Sequence, residues 1–349
     1  MKKRNRKDAE YWRLRALALE ASSYEKAEQY LKKLRELYDE TTLNIQKDIA
    51  FWYLRFAKNN KISLAEAKKM LTKGELKEFK WNVQQYIEYG KNHNLNSNYR
   101  KELENISCMV HISRLKSLQT QLRYHIEKLY GEEIKGVYEL LDDVLEDSTY
   151  KTSFEISKGL GIGVDLHRYN ESEIEDILNK PWTADGRNFS DRLWGRKKQL
   201  LNELVEKDLP NSLIRGESSE KIIDRWAKKL NADRKNVERV VHTERAYINS
   251  RATHDSYKNM GVEKYQILAT LDFKTSDICI DMDLDVFKTK DYEIGVTAPP
   301  FHPRCRTTTV PYFDDFTGDE KRAARDENGD IYYVPDDMKY EEWYEKYVK

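Results

Sequence analysis

Apolar positions recur every three or four residues through most of the first 260 residues, and this period writes long helices. Ala27, Tyr30, Leu31, Leu34, Leu37 and Tyr38 fall on one stripe, because a turn takes 3.6 residues and such positions share a face. Ile49, Trp52, Tyr53 and Phe56 repeat the spacing; Met109, Ile112, Leu115, Leu118 and Leu122 form another stripe, and Leu140, Leu141, Val144 and Leu145 continue it. Ser63 and Glu66 have capping-box spacing, with the serine oxygen available to the third amide and the glutamate reaching back. Asn92–Asn98 reads as a polar turn. The stripes are narrow and the opposite faces charged, so these helices need partners, most simply one another.

The period breaks at Gly159, Gly161 and Gly163. A phosphate loop would need GxGxxG or a following GK[ST] in a βαβ frame, so this GxGxG run reads as a hinge. Asn170–Asn179 predicts a short helix with Glu173 at the capping-box position. Asp185-Gly186 marks a turn that Trp182, Phe189 and Trp194 could clasp. Helices are expected over Leu193–Leu209, Ser218–Leu230 and Arg234–Met260, separated by Pro210 to Gly216 and by Asn231–Asp233. After Gly261 the texture changes: Gln266–Asp272, Val286–Thr289 and Arg306–Val310 favour strands. The tail from Asp314 carries a hairpin signal at Asn328-Gly329 and many aromatic residues. The expected fold is mainly α, with an elongated helical N-terminal region and a small α+β C-terminal module. Its divisions are a helical arm over 1–158, a helical middle over 159–262, a β-rich cap over 263–312 and an acidic aromatic tail over 313–349.

Composition narrows the function classes. Lys plus Arg and Asp plus Glu both number 61, so the net charge is zero and gives no global pull toward nucleic acid or anionic membrane. The ends are polarised: residues 1–7 hold Lys2, Lys3, Arg4, Arg6 and Lys7, a candidate DNA-contacting arm, while residues 314–349 carry twelve acids against six bases. No run of 18 apolar residues predicts a membrane span. The N-terminus lacks the apolar stretch of a signal peptide, and three cysteines in 349 residues do not make a disulfide framework. Synthesis in the cytoplasm is therefore expected.

Candidate chemistry concentrates between Tyr265 and Pro311. Cys279, His302 and Cys305 could bind structural zinc, with a fourth donor from Asp272, Asp277, Asp281, Asp283 or His254. The alternatives are a Cys279–Cys305 disulfide or two reduced thiols packed in a small core. Asp281, Asp283 and Asp285 imitate the start of an EF-hand, but Val286 and Tyr292 occupy its glycine and glutamate positions, so calcium is not expected. A Cys–His nucleophile lacks an evident oxyanion device, and Pro303 beside His302 suits a turn better than a mobile base. Glu244 lies in a long helix, with Arg245 and Arg251 as available ion-pair partners. Arg192–Lys198 reads as a solvated basic face or a nonspecific phosphate contact.

These residues resemble the phage minor head proteins, the Mu F-like head morphogenesis family. Its signature runs as a helix with a Thr-Glu pair, a strand, D-x-x-T-x-x-x-C, an acidic turn and P-P-x-H-P-x-C-R. Here stand Thr243-Glu244, Asp272-Phe-Lys-Thr275, Cys279, Asp283 and Pro299-Pro300-Phe-His302-Pro303-Arg-Cys305-Arg306. Lys180–Trp194 is similar to an upstream block in members from Gram-positive phages, so the resemblance covers roughly residues 160–312. Leu284 departs from it, because many members place glycine after the aspartate.

The resemblance implies a minor capsid protein with no enzyme activity and no required cofactor. Its expected partners are the portal protein, scaffold or major capsid protein, and double-stranded DNA bound nonspecifically. Its expected location is the host cytoplasm during assembly and then the virion interior. Glu244, Asp272, Thr275, Asp283, Pro300 and Arg306 would hold the motif, with Arg306 fastened to Asp283 or Glu244. The rival functions are a virion-carried Cys–His hydrolase or nuclease and a DNA-condensing protein.

Overall fold

The computed structural model describes residues 7–59, 114–163, 168–214, 217–314, 321–326, 331–335 and 338–347. Lys2, Lys3, Arg4 and Arg6, the Ser63–Glu66 capping box, the Asn92–Asn98 turn, Met109, Ile112 and the Asn328-Gly329 turn lie outside them. The fold is mainly α, with a long N-terminal helical region and a small antiparallel sheet near the C-terminus.

The helices are α1 (Ala9–Asn59), α2 (Arg114–Leu160), α3 (Glu171–Asn179), α4 (Phe189–Leu201), α5 (Leu209–Ile214) and α6 (Ser219–Asn259). The expected stripes are the buried faces: Ala27, Leu31, Leu34 and Tyr38 on α1, and Leu118, Leu122, Leu140, Leu141, Val144 and Leu145 on α2. The α3 capping box forms, with Glu173 N–H donating to Asn170 Oδ1 at 3.0 Å and Asn170 N–H to Glu173 Oε2 at 2.9 Å.

Between α4 and α5 the backbone widens into a π-helical stretch, Asn202–Asp208, where Leu209 N–H reaches Leu204 O. This wide turn ends just before Pro210, whose missing N–H and ring bulk disrupt a regular ladder. The break expected at Asn231–Asp233 does not exist, because α6 runs through it. Asp233 is buried and accepts from Tyr38 Oη at 2.9 Å, while Asn231 accepts from Arg234 at 2.7 Å. These tertiary and side-chain bonds override weak helix propensity. The glycine break is a helix stop. Ile162 N–H bonds to Ser157 O around Gly161, which has φ +62°. A Cβ on Gly159 would meet the Trp12 ring at 2.3 Å, so only glycine fits there.

The described residues fall into two compact units: Met1–Tyr30, Tyr138–Phe189 and Arg239–Lys349 in the first, and Leu31–Val137 and Ser190–Glu238 in the second. In the first, α6 stops at Gly261 (φ +67°), with Val262 N–H returning to Tyr257 O at 2.9 Å. Strands β1 (Lys264–Leu268), β2 (Val286–Lys288) and β3 (Thr308–Tyr312) follow, with helix α7 (Asp277–Asp281) between β1 and β2. The sheet order is β2-β1-β3, all antiparallel, with Gln266 opposite both Val286 and Val310. Pro311 is tolerated because β3 is an edge strand. The core of this unit gathers Trp12, Ile156, Tyr257, Met260, Tyr265, Ile267 and Val310. Large side chains of this kind contribute about 1.5–3 kcal/mol each on burial.

The acidic tail folds onto the same unit. Strands β4 (Lys321–Arg325) and β5 (Ile331–Pro335) pair antiparallel, and helix α8 (Tyr340–Tyr347) follows. Leu271, Ala324, Val334, Met338 and Trp343 form a second small core, with Trp343 fully buried.

Candidate functional site

The residues of the late motif converge around the loops that flank β1 and precede β3. Asp272-Phe-Lys-Thr275 forms a tight turn. Lys274 N–H donates to Asp272 Oδ1 at 2.9 Å, and Thr275 Oγ1 bonds to the same oxygen at 3.1 Å and to Thr270 O. The turn launches α7, which places Cys279 beneath it. On the other side, Pro300 is buried and leads into His302-Pro-Arg-Cys305, where Cys305 N–H returns to His302 O at 3.2 Å. Arg304 sits at φ +63° with its N–H on Thr243 Oγ1 at 3.1 Å, which ties the turn to α6.

These two turns bring Cys279 Sγ to 3.6 Å from Cys305 Sγ and 3.2 Å from His302 Nε2. Both cysteines are free thiols and buried, at 2% and 0% exposure. His302 Nδ1 lies 2.8 Å from Pro303 O. A carbonyl only accepts, so Nδ1 carries the hydrogen and, in the neutral ring, Nε2 turns its lone pair to sulfur. The Cys305 thiol is pushed down to about 4, chiefly by the hydrogen bond from Cys279, with help from His302 and the backbone amides of Phe301 and Thr307 that outweighs its burial. Cys279 is raised, first by that shared bond and then by burial. His302 is raised by the neighbouring Cys305 sulfur.

Two arginine–carboxylate clamps flank the sulfurs. Arg306 grips Asp272 through both terminal nitrogens, Nη2 to Oδ1 at 2.8 Å. Burial raises the Asp272 pKa, but the Arg306 bonds and the Lys274 amide outweigh it and hold the carboxylate below its usual range. Arg322, from β4, grips Asp283 at 2.6 and 3.0 Å and reaches Ala269 O at 2.8 Å, while Ala269 N–H donates to Asp283 Oδ1 at 2.9 Å. The expected fastening of Arg306 to Asp283 or Glu244 is therefore corrected: Arg306 takes Asp272, and Asp283 belongs to Arg322. Glu244 accepts from Trp182 Nε1 at 2.8 Å, and Trp182 stacks on Tyr247 at 4.7 Å. Arg245 pairs with Glu20, and Arg251 with Asp255.

None of the five expected fourth donors joins Cys279, His302 and Cys305; among the described residues these three alone gather their ligand atoms within 4.8 Å. His254 instead stacks on Tyr292 at 4.3 Å with Nε2 on Thr289 O. Lys7, the described end of the basic arm, bonds through its N–H to Gly159 O at 3.2 Å and holds its Nζ 5.8 Å over the Tyr11 ring.

Residues 203–310 match the model of the family described as phage Mu protein F like protein. Over that segment the chain is similar to the Mu F-like family. The match takes in α6 and runs into β3, so it contains Asp272, Cys279, Asp283, His302, Cys305 and Arg306 but not Arg322. The Mu F-like match supports a phage head morphogenesis protein. Searches of curated proteins and of solved structures found no match. No helix among the described residues is long and apolar enough to cross a membrane.

Arg322 is a residue of the site that carries only a weak sequence signal. In Lys321-Arg-Ala-Ala-Arg325 a two-residue period puts Arg322 and Ala324 on one face, and both are buried. In the second unit Lys197 departs from the solvated basic face expected of Arg192–Lys198. It is fully buried, paired with Glu133 and lying 4.2 Å from the Tyr130 ring centre.

Proposed function

We propose that this Mu F-like protein is a minor component of a tailed-phage head that docks on the portal during procapsid assembly. The observation that carries the proposal is the family match lying on a module closed by two arginine–carboxylate clamps. A docking element must keep its surface in one geometry, and buried bidentate pairs specify geometry at the expense of desolvation. The burial of both sulfurs supports a fastening role over a nucleophilic one, since a nucleophile has to meet its substrate. Scaffold or major capsid protein are further partners of the same assembly, and the basic arm from Lys2 to Lys7 gives DNA a secondary point of contact.

The test is mass-spectrometric quantification of the chain in purified procapsids assembled with and without portal protein. The chain is expected in the first and depleted at least tenfold in the second. Equal amounts in both would overturn portal docking, and absence from both would overturn the head assignment.

A further inference from the structure

We propose that Cys279, His302 and Cys305 bind one zinc ion. This goes beyond the assembly role and does not depend on it. The three ligand atoms come from helix α7 and the His302–Cys305 turn and converge within 4.8 Å. A tetrahedral zinc with bonds of about 2.3 Å to sulfur and 2.0 Å to nitrogen separates two sulfurs by about 3.8 Å and sulfur from nitrogen by about 3.5 Å. The separations of Cys279 Sγ from Cys305 Sγ and from His302 Nε2, 3.6 and 3.2 Å, each lie within a few tenths of an ångström of those values.

The surroundings fit as well. A zinc-bound histidine usually donates its other N–H to a backbone carbonyl or carboxylate, which fixes the tautomer. His302 Nδ1 does this toward Pro303 O, leaving Nε2 directed at the sulfurs. Two soft sulfurs and one imidazole select zinc over magnesium or calcium, which prefer oxygen. Asp272 and Asp283 are engaged by arginines and stay out of the ligand set. The fourth corner falls to water. The Ser276 hydroxyl lies against Cys279, buried and without a well-formed hydrogen bond, where it can accept from that water.

The experiment is elemental analysis of the full chain, purified under reducing conditions without chelator and then equilibrated with equimolar zinc. One zinc per chain is expected. Cys279→Ser, Cys305→Ser and His302→Ala should each lower the content at least tenfold, whereas Cys108→Ser should leave it unchanged. Because the ligand variants can misfold, the unaltered chain is also titrated with a mercurial. Zinc release should complete as two thiols react, and cobalt in its place should show a thiolate charge-transfer band. Less than a tenth of an equivalent in the unaltered chain, zinc retained in the ligand variants of a folded protein, cobalt without a thiolate band, or a Cys279–Cys305 disulfide under reducing conditions would each overturn the site.

Discussion

The late motif and the second unit both bury ionic groups, but they assemble them in opposite ways. Asp272 and Arg306 are 34 residues apart, and Asp283 and Arg322 are 39 apart, so short turns do the positioning. The second unit draws its cluster from four helices: Tyr38 on α1, Glu133 on α2, Asp233 on α6 and Lys197 on α4, which pairs with Glu133. Tyr38 Oη donates to Glu133 at 2.8 Å, Asp233 lies 3.9 Å from Lys197 Nζ, and burial raises the Glu133 pKa against the pull of Lys197. The first arrangement is a local clamp, legible as a motif. The second is a long-range network with no signature of its own, and its energetics depend wholly on charge balance in a dry interior.

Breaking that balance should have the largest effect. Lys197→Met strands two acids and is expected to cost about 3–5 kcal/mol in urea unfolding, while adding Glu133→Leu should recover most of the loss. Equal instability of the single and double variants would show that Lys197 matters for packing rather than charge.

The two clamps of the motif should then separate by burial. The side chains of Arg322 and Asp283 are 1% exposed, against 26% and 10% for Arg306 and Asp272. Arg322→Ala is expected to cost about 3 kcal/mol and Arg306→Ala about 1–2 kcal/mol, read as denaturant midpoints at constant slope. The reverse order would refute the claim that the tail closes the module.

A pH scan sharpens the same contrast between satisfied and dry groups. His254 and His242 are both held below their ordinary value of 6.5, first by burial. Their neutral forms fit the fold, so the unfolded chain binds more protons near pH 6. The contribution of these two histidines is therefore complete above about pH 6.5 and declines as pH falls below it. His254→Phe, which keeps a ring on Tyr292, should flatten that decline in thermal unfolding across pH 7 to 5.

The smallest expected effect is at Leu284, which occupies φ +68° after Asp283. A left-handed non-glycine residue costs about 1 kcal/mol, so Leu284→Gly should stabilise by at most that amount, less the added freedom of the unfolded chain. A loss of stability would mean that the Leu284 side chain contributes more packing than its backbone costs.

The helical stripes were legible because burial follows a 3.6-residue period, and Leu31, Leu34 and Tyr38 lie where that period puts them. The sulfur–histidine group was legible because its members sit within 27 residues and prolines punctuate them. Asn231–Asp233 misled because propensity is local, whereas the bond from Tyr38 is not. The partners of Asp283 and Arg306 were not legible because several acids of equal chemistry stand close together, and only the turn geometry decides among them. The tail was ambiguous because aromatic, acidic sequence suits a partner surface as well as its own core; Arg322 and Trp343 settle it for this chain.

The central claim is that Cys279 and Cys305 belong to a closed fastening. Native-state alkylation with iodoacetamide at neutral pH, followed by peptide mass spectrometry, tests it most directly. The account predicts both cysteines protected in the folded chain and modified only after unfolding. Rapid, stoichiometric modification of Cys305 in the native protein would contradict it, because a thiolate held near pKa 4 and open to solvent is a reactive centre.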